Sequence, residues 1–362
     1  MLWYEHLAKH LKVLGFKRSE LDHCLFFKNG IRVVVCVDDI LVTADTEADI
    51  LELFGALEKQ YGEMTKTIGA NFTYLGMNIE FRDSMKHGRV VKIGMTQYID
   101  AVVKHWSPKR GYPTPATDKL FDIDQSSALV GEKEQKLFHT MVAKLLYLAK
   151  RARPDILVAV SILTTRVAKA TENDIRKLER IIGYLDYTRA YGIRLCATGK
   201  DVQVTVFADA AHGVHSDLKS HSGVFISLGM GPIYVGSSKQ KIVTREAEVV
   251  AVSDAGLPKV WILDLLMEVG YSVRPSVLYQ DNSGAVAALR SGEAKGKNSK
   301  HIRIRRLWLS EKVQNGDFRI LWIGTADMVA DVLTKPMQGF NFERLSSVLR
   351  GYASAVVNDG VA

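Results

Sequence analysis

The sequence predicts a mixed α/β fold whose third zone, from residue 201 on, is a mixed sheet flanked by helices. Three observations predict it. Val202, Val204 and Val206 alternate towards Asp209, which is strand periodicity. Two more apolar runs, residues 224–228 and 233–235, follow on either side of Gly229-Met230-Gly231. Helix-like and strand-like stretches then alternate: helix over 244–268, strand at 276–279, strand at 318–323 and a short helix at 326–333. Three antiparallel strands followed by alternating helices and strands indicate helices layered on a mixed sheet.

The upstream elements follow in order. Leu2, Leu7, Leu11 and Leu14 fall near one face of an amphipathic N-terminal helix. Phe26, Phe27, Ile31 and the valines at 33–35 suggest two strands turning at Lys28-Asn29-Gly30, because Asn-Gly is a strong hairpin signal. Residues 40–43 continue as a strand after the pair Asp38-Asp39, and 47–61 have helix periodicity. Residues 107–127, with Pro108, Pro113 and Pro115, read as a linker. The zone 130–195 reads as mostly helical, and Arg153-Pro154-Asp155 starts one helix with proline in its first turn.

Composition bounds the function. The chain has 362 residues, enough for two or three domains at about 150 residues each. It is 47% hydrophobic and 24% charged, which excludes wholesale disorder. Lys and Arg total 48 against 40 Asp and Glu, a net charge of +8 that suits a polyanionic partner. The surplus is concentrated in two runs. One spans residues 144–194, including Arg151 and Arg153; the other spans 290–315, with Lys295, Lys297, Lys300, Arg303 and Arg305. Such runs read either as solvated helix faces or as a groove that tracks a nucleic-acid backbone. Cys24, Cys36 and Cys196 lack disulfide-framework or zinc spacing and fit a reducing compartment. No apolar run approaches the roughly 18 residues that span a bilayer, so no membrane partner is expected. The N-terminus lacks a signal peptide's order of regions. Trp3, Trp106, Trp261, Trp308 and Trp322 are dispersed, which favours core packing over base stacking for most of them.

Four acids sit where packing does not explain a carboxylate. Asp209 ends an apolar strand, Glu248 lies in the apolar helix run AEVVAV, Asp281 ends SVLYQ, and Asp331 lies in MVADVLT. Taken singly, each also reads as a cap, a turn or a solvent-facing residue. Taken together at strand ends, they would repel one another unless cations bound. Two divalent ions ~3.5–4 Å apart would suit phosphodiester hydrolysis, and hard oxygen ligands favour Mg²⁺ or Mn²⁺.

At these residues a resemblance becomes specific. TREAE, YQDNSGA, KHIRIR and ADVLTKPM, in order between residues 202 and 340, resemble the ribonuclease H domain of copia-type LTR retrotransposon Pol polyproteins. The stretch MVAKLLYLAKRARPDILVAV resembles their connecting region, and VVVCVDDILVTADT resembles the later part of their reverse transcriptase. The resemblance covers nearly the whole chain from Leu2. It implies a truncated palm-and-thumb remnant at 1–110, a linker and helical connecting region at 111–200, a ribonuclease H-like domain at 201–340 and a C-terminal tail at 341–362. It makes Asp209, Glu248, Asp281 and Asp331 the catalytic, metal-binding acids for two Mg²⁺ or Mn²⁺ ions. Glu248 is chosen from TREAE because the apolar helix run follows it directly; Glu246 is the alternative.

The resemblance also implies an RNA–DNA hybrid as partner, contacted by Lys300, His301, Arg303 and Arg305. A complete Pol protein is a further partner, and cytoplasmic particles or the nucleus the setting. Two departures bear on activity. Asp38 and Asp39 survive as the polymerase pair, but Cys36 replaces an aromatic residue, and the upstream palm aspartate is expected to be missing, so no polymerase activity is expected. Ala211 and His212 stand where the family usually has Asp and Trp, and Gly256 and Pro258 sit in the long helix just past Glu248, where an interior proline is costly or kinks the helix. The alternative is therefore a catalytically decayed or domesticated nucleic-acid-binding module.

Overall fold

Apolar residues at helical spacing put Leu7 and Leu11 of α1 (Leu2–Val13) into a small core at the start of the chain. The computed structural model describes residues 2–84, 88–197, 202–291 and 300–355. Against α1 lies an antiparallel sheet of β1 (Lys17–Arg18), β2 (Leu25–Lys28), β3 (Ile31–Cys36) and β4 (Asp39–Thr43), in that order. The β2–β3 turn places Asn29 and Gly30 at φ 45° and 83°, the left-handed pair that a two-residue hairpin demands. Helix α2 (Glu47–Tyr61) starts on the Thr46 cap, whose hydroxyl accepts from the Asp49 amide, and buries Leu53 and Leu57 in the same core.

A second sheet draws strands from three zones of the sequence. Its order is β11 (Gly229–Met230), β8 (Ile193–Ala197), β7 (Gly88–Gly94), β6 (Met77–Ser84) and β5 (Asn71–Tyr74). Gly229 and Met230 therefore do more than turn the chain: they pair with Ala197 and Cys196.

The helical zone comprises α3 (Thr96–Trp106), α4 (Glu132–Arg151), α5 (Leu157–Thr164) and α6 (Glu172–Tyr187). A short 3-10 turn, Pro154–Ile156, leads into α5 with proline at its start, as the sequence predicts. Thr171 and Asp174 close a capping box on α6. Residues 107–127 lack regular structure, yet Thr114, Ala116 and Leu120 are buried.

The third sheet has the order β12 (Tyr234–Lys239), β10 (His221–Ser227), β9 (Val202–Ala211), β13 (Val273–Gln280) and β14 (Phe318–Trp322). The β12, β10 and β9 strands are antiparallel, and β9, β13 and β14 are parallel, so the sheet is mixed. One face of β9 sends Val204, Val206 and Ala208 into a core with α7 (Ala247–Glu268), α8 (Ser283–Ser291) and α9 (Lys300–Gln314). The other face sends Phe207, with Phe225 and Tyr279, into a larger core shared with α3 to α6. Residues 326–333, expected as one short helix, form two 3-10 turns, Thr325–Asp327 and Val329–Leu333. Helix α10 (Gly339–Leu349) occupies residues expected as part of a tail; Phe342, Leu345 and Leu349 bury it in the larger core.

The charge pattern around residue 153 has a structural cause. Arg153 and Asp155 are both fully buried and pair at 2.8 Å. Tyr184 donates its hydroxyl to Asp155, and Arg153 donates to the Thr188 hydroxyl and carbonyl. Arg153 is thus a core residue, not part of a basic groove, and Arg151 lies over the Tyr147 ring. Among the described residues no helix is long and apolar enough to cross a membrane.

Candidate metal centre

Asp209 lies in β9, two residues before its end, and is buried opposite Gly223 of β10. A Cβ at Gly223 would come within 2.6 Å of the Thr334 methyl and 2.8 Å of the Ala330 carbonyl. Glycine there lets the 3-10 turn Val329–Leu333 lie directly on the sheet, which carries Asp331 towards Asp209. Asp281 follows β13, where Asn282 accepts from the Ala285 amide and caps α8. The exposed Trp322 fixes the same corner by donating its indole N–H to the Asp281 carbonyl at 2.9 Å.

These three strand and turn ends bring one carboxylate oxygen each from Asp209, Asp281 and Asp331 within 4.8 Å of one another. Among the described residues this is the one such acidic or metal-ligating group. Glu248, in the first turn of α7, faces it. Burial pushes the Glu248 carboxyl up to about 8, with Asp209 and Asp281 adding to the rise. Gln280 holds that side chain from below: its amide donates to Glu248 Oε2 at 3.1 Å and to the Ala208 carbonyl, while its oxygen accepts from the Asn282 amide. Burial and Asp209 also raise Asp331 well above the carboxylate range, against the pull of Lys335. Lys335 Nζ stands 2.7 Å from Asp331 and 3.5 Å from Asp209. Burial opposes its charge, but the two aspartates overcome this and raise its pKa. The Thr334 hydroxyl donates to Asp209.

Sequence reasoning missed Gln280, Thr334 and Lys335. The i, i+4 spacing of Asp331 and Lys335 was a readable signal; the reach of Lys335 to Asp209 was not. Glu246 stays apart from the cluster, at the cap of α7 with a buried oxygen lacking a partner.

A relay of side chains braces the turn that carries Asp331. Ser237 donates to the Leu333 carbonyl at 2.7 Å, so its oxygen must accept from His221 Nε2, 2.8 Å away. His221 Nδ1 is then the acceptor for His215 Nε2–H at 3.1 Å. Phe121 stands edge-on to both rings.

The other predicted residues are elsewhere. Asp38 and Asp39 are exposed at the β3–β4 turn, where Cys36 pairs with Asp39 and Trp3 donates to the Val37 carbonyl. Arg303 is exposed, and Arg305 is tied to Asp254 at 2.7 Å, which links α9 to α7. Lys295 and Lys297, and the side chains of Lys300 and His301, lie outside the described residues.

No family model matches the sequence. The chain is 30% identical over 356 residues to the retrovirus-related Pol polyprotein from transposon RE1 of Arabidopsis thaliana, covering 95% of this chain and 24% of that protein. It is 27% identical over 356 residues to the retrovirus-related Pol polyprotein from transposon TNT 1-94 of Nicotiana tabacum, covering 94% and 26%. This chain is a homologue of copia-type retrotransposon Pol polyproteins. It spans about a quarter of the length of these Pol relatives. A solved structure, that of the foamy viral protease-reverse transcriptase in complex with RNA/DNA hybrid, aligns with a TM-score of 0.44 and 13% identity, over 81% of this chain and 36% of that one.

Proposed function

We propose that this Pol fragment hydrolyses the RNA strand of RNA–DNA hybrids with two Mg²⁺ or Mn²⁺ ions. The observation that carries the reading is the meeting of Asp209, Asp281 and Asp331, with Glu248 beside them, at the end of a mixed sheet. An all-carboxylate donor set fits a hard divalent cation, and burial, with the neighbouring aspartates adding to it, raises Glu248 and Asp331, a rise that a bound cation would oppose. Asp209, Glu248 and Asp281 would hold the ions, with Asp331 completing one position and helping product leave. Bound there, the ions supply an activated water and stabilise the leaving oxygen. Gln280 orients Glu248, and Thr334 orients Asp209. The hybrid would be read by its shape and 2′-hydroxyls, not by base sequence.

The same reading assigns no polymerase activity to this chain alone. Asp38 and Asp39 stand on an exposed turn, and no third acid joins them among the described residues.

The test is a labelled RNA–DNA hybrid incubated with the purified chain, with and without Mg²⁺ or Mn²⁺, beside Asp281→Asn. Metal-dependent RNA cleavage that the variant loses is the expected result; no cleavage by folded protein would defeat the reading. Ala211 and His212 favour a second reading, a decayed binding module. Ala211 is buried and His212 faces Ser220 at 3.5 Å, so neither adds an acid to the cluster. Salt-dependent binding without cleavage would identify that module.

A further inference from the structure

Away from the carboxylates, the linker and α6 enclose a cavity of about 520 Å³. Arg110 and Lys119 reach it from the linker, and Arg176, Lys177 and Arg180 from α6. The last three share a helix face through their i, i+3 and i, i+4 spacings. Two acids, Asp122 and Asp124, also line it. Both interact with the cations at a distance, but neither makes an ion pair with them. Asp124 is turned to the Ser126 amide and hydroxyl at 3.0 and 2.6 Å. Lys177 donates to the Asp122 carbonyl, not to its carboxylate. None of the five cations makes an ion pair within 4 Å among the described residues.

Arg180 is part-buried beside Thr114. It donates to the Thr114 hydroxyl at 2.8 Å, but its Nε–H is buried without a partner. An unmade bond to a buried charged donor is costly. Burial lowers the pKa values of Lys177 and Arg180, so the wall holds charge at a cost. Tyr112 offers no free platform for a base, since Arg110 and Arg180 both stand 4.8 Å from its ring.

We propose that this cavity is a cradle for phosphate groups of a nucleic-acid backbone, separate from the carboxylate cluster. Concentrated cations, an unfilled guanidinium donor and an occupied tyrosine ring match phosphate oxygens and not bases. The cradle is also coupled to the cluster's own segment. Thr114 donates to the Gln338 side chain at 2.8 Å, and Gln338 donates to the Ala116 carbonyl. Gln338 follows Lys335 by three positions, at most about 11 Å of chain. A strand held in the cradle is thereby placed against the face from which Lys335 reaches Asp209 and Asp331. The inference rests on the nucleic-acid reading only for the source of the phosphates.

The test uses the full chain in EDTA, so that binding is read without cleavage. Labelled RNA–DNA hybrid is titrated across a salt series with wild type, with Lys119→Gln/Arg176→Gln, and with a control, Lys9→Gln/Lys59→Gln. All four residues are exposed. The cradle variant should lose about 0.9 in the slope of log K against log salt for each cation removed, and the control should lose none. Equal slopes in wild type and cradle variant, or an equal loss in the control, would overturn the proposal. Inorganic tripolyphosphate separates the sources: saturable binding that the cradle variant loses, with the hybrid slope unchanged, would assign the site to free polyphosphate and refute the nucleic-acid backbone. Hybrid binding with the expected slopes but no cleavage with Mg²⁺ would sink the ribonuclease reading and leave the cradle standing.

Discussion

Protonating His221 should loosen the turn that carries Asp331. In the His215–His221–Ser237–Leu333 relay each donor has one acceptor, and His221 Nδ1 must be unprotonated to accept from His215. A second proton would set two N–H groups face to face. Burial pushes His221 down to about 3, with His215 adding to the shift. The sign follows from linkage. The folded pKa lies below the unfolded value of 6.5, so the unfolded chain takes up the proton first; the contribution is complete above pH 6.5 and is lost as pH falls towards 3. The slope is about 1.4 kcal/mol per pH unit, so lowering the pH from 6.5 to about 5 should cost about 2 kcal/mol. His215, pushed down to about 4 by burial, is only half-buried, and solvent screening makes its share smaller. Urea unfolding of wild type and His221→Gln between pH 5 and 7 isolates the term, because all other groups titrate in both proteins. The stability advantage of wild type should shrink by about 2 kcal/mol over that range. Parallel pH profiles for the two proteins would refute the reasoning.

Three further outcomes are expected. Asp155→Ala leaves Arg153 buried and unpaired, where Arg153 had overcome burial and held Asp155 below the carboxylate range; urea unfolding should show a loss of about 3–5 kcal/mol. Gly256→Ala places a Cβ 2.5 Å from the Trp308 ring, so the ring or the α7–α9 contact must shift; the expected cost is about 1–3 kcal/mol, seen as a lowered Tm. Lys335→Met removes the cation shared by Asp209 and Asp331, so the metal-free protein should melt lower while calorimetry shows tighter Mg²⁺ binding; an unchanged Mg²⁺ affinity would mean that Lys335 does not compete for the acids.

Much of the fold was legible because it rests on local rules. The Asn29-Gly30 turn, the helix at Glu47–Tyr61 and the proline that opens Pro154–Ile156 each follow from residues adjacent in sequence. What was not legible depends on long-range pairing. β6 and β7 carry charged residues among their apolar ones, β5 has only four residues, and their sheet is completed by β8 and β11, far along the chain. Gly229-Met230 reads as a turn because two residues cannot show periodicity. Pro258 inside α7 did not end the helix. The helix's packing on the sheet outweighs a penalty of about 3 kcal/mol for an interior proline.

The metal site divides along the same line. Each aspartate was visible alone, as an acid where an apolar pattern ends, but no spacing rule says that residues 209, 281 and 331 meet. That meeting depends on Gly223, an unremarkable strand glycine until the turn Val329–Leu333 is seen lying on it. Glu248 and Glu246 were separable only by context, and the structure separates them by charge: Glu248 feels Asp209 and Asp281, whereas Glu246 sits at the N-cap position of α7 without a capping bond. Basic residues were the weakest guide, because charge in a sequence carries no information on burial. Arg153 and Arg305 read as groove residues and are tied to Asp155 and Asp254. The cations left without ion pairs at the α6 cavity come from two segments: Arg176, Lys177 and Arg180 fall in the basic run 144–194, but Arg110 and Lys119 join them from the linker outside it. For this fold, then, a cation's meaning lies in whether an acid is already beside it, and that makes the α6 cavity a better place to look for phosphate than the described part of α9.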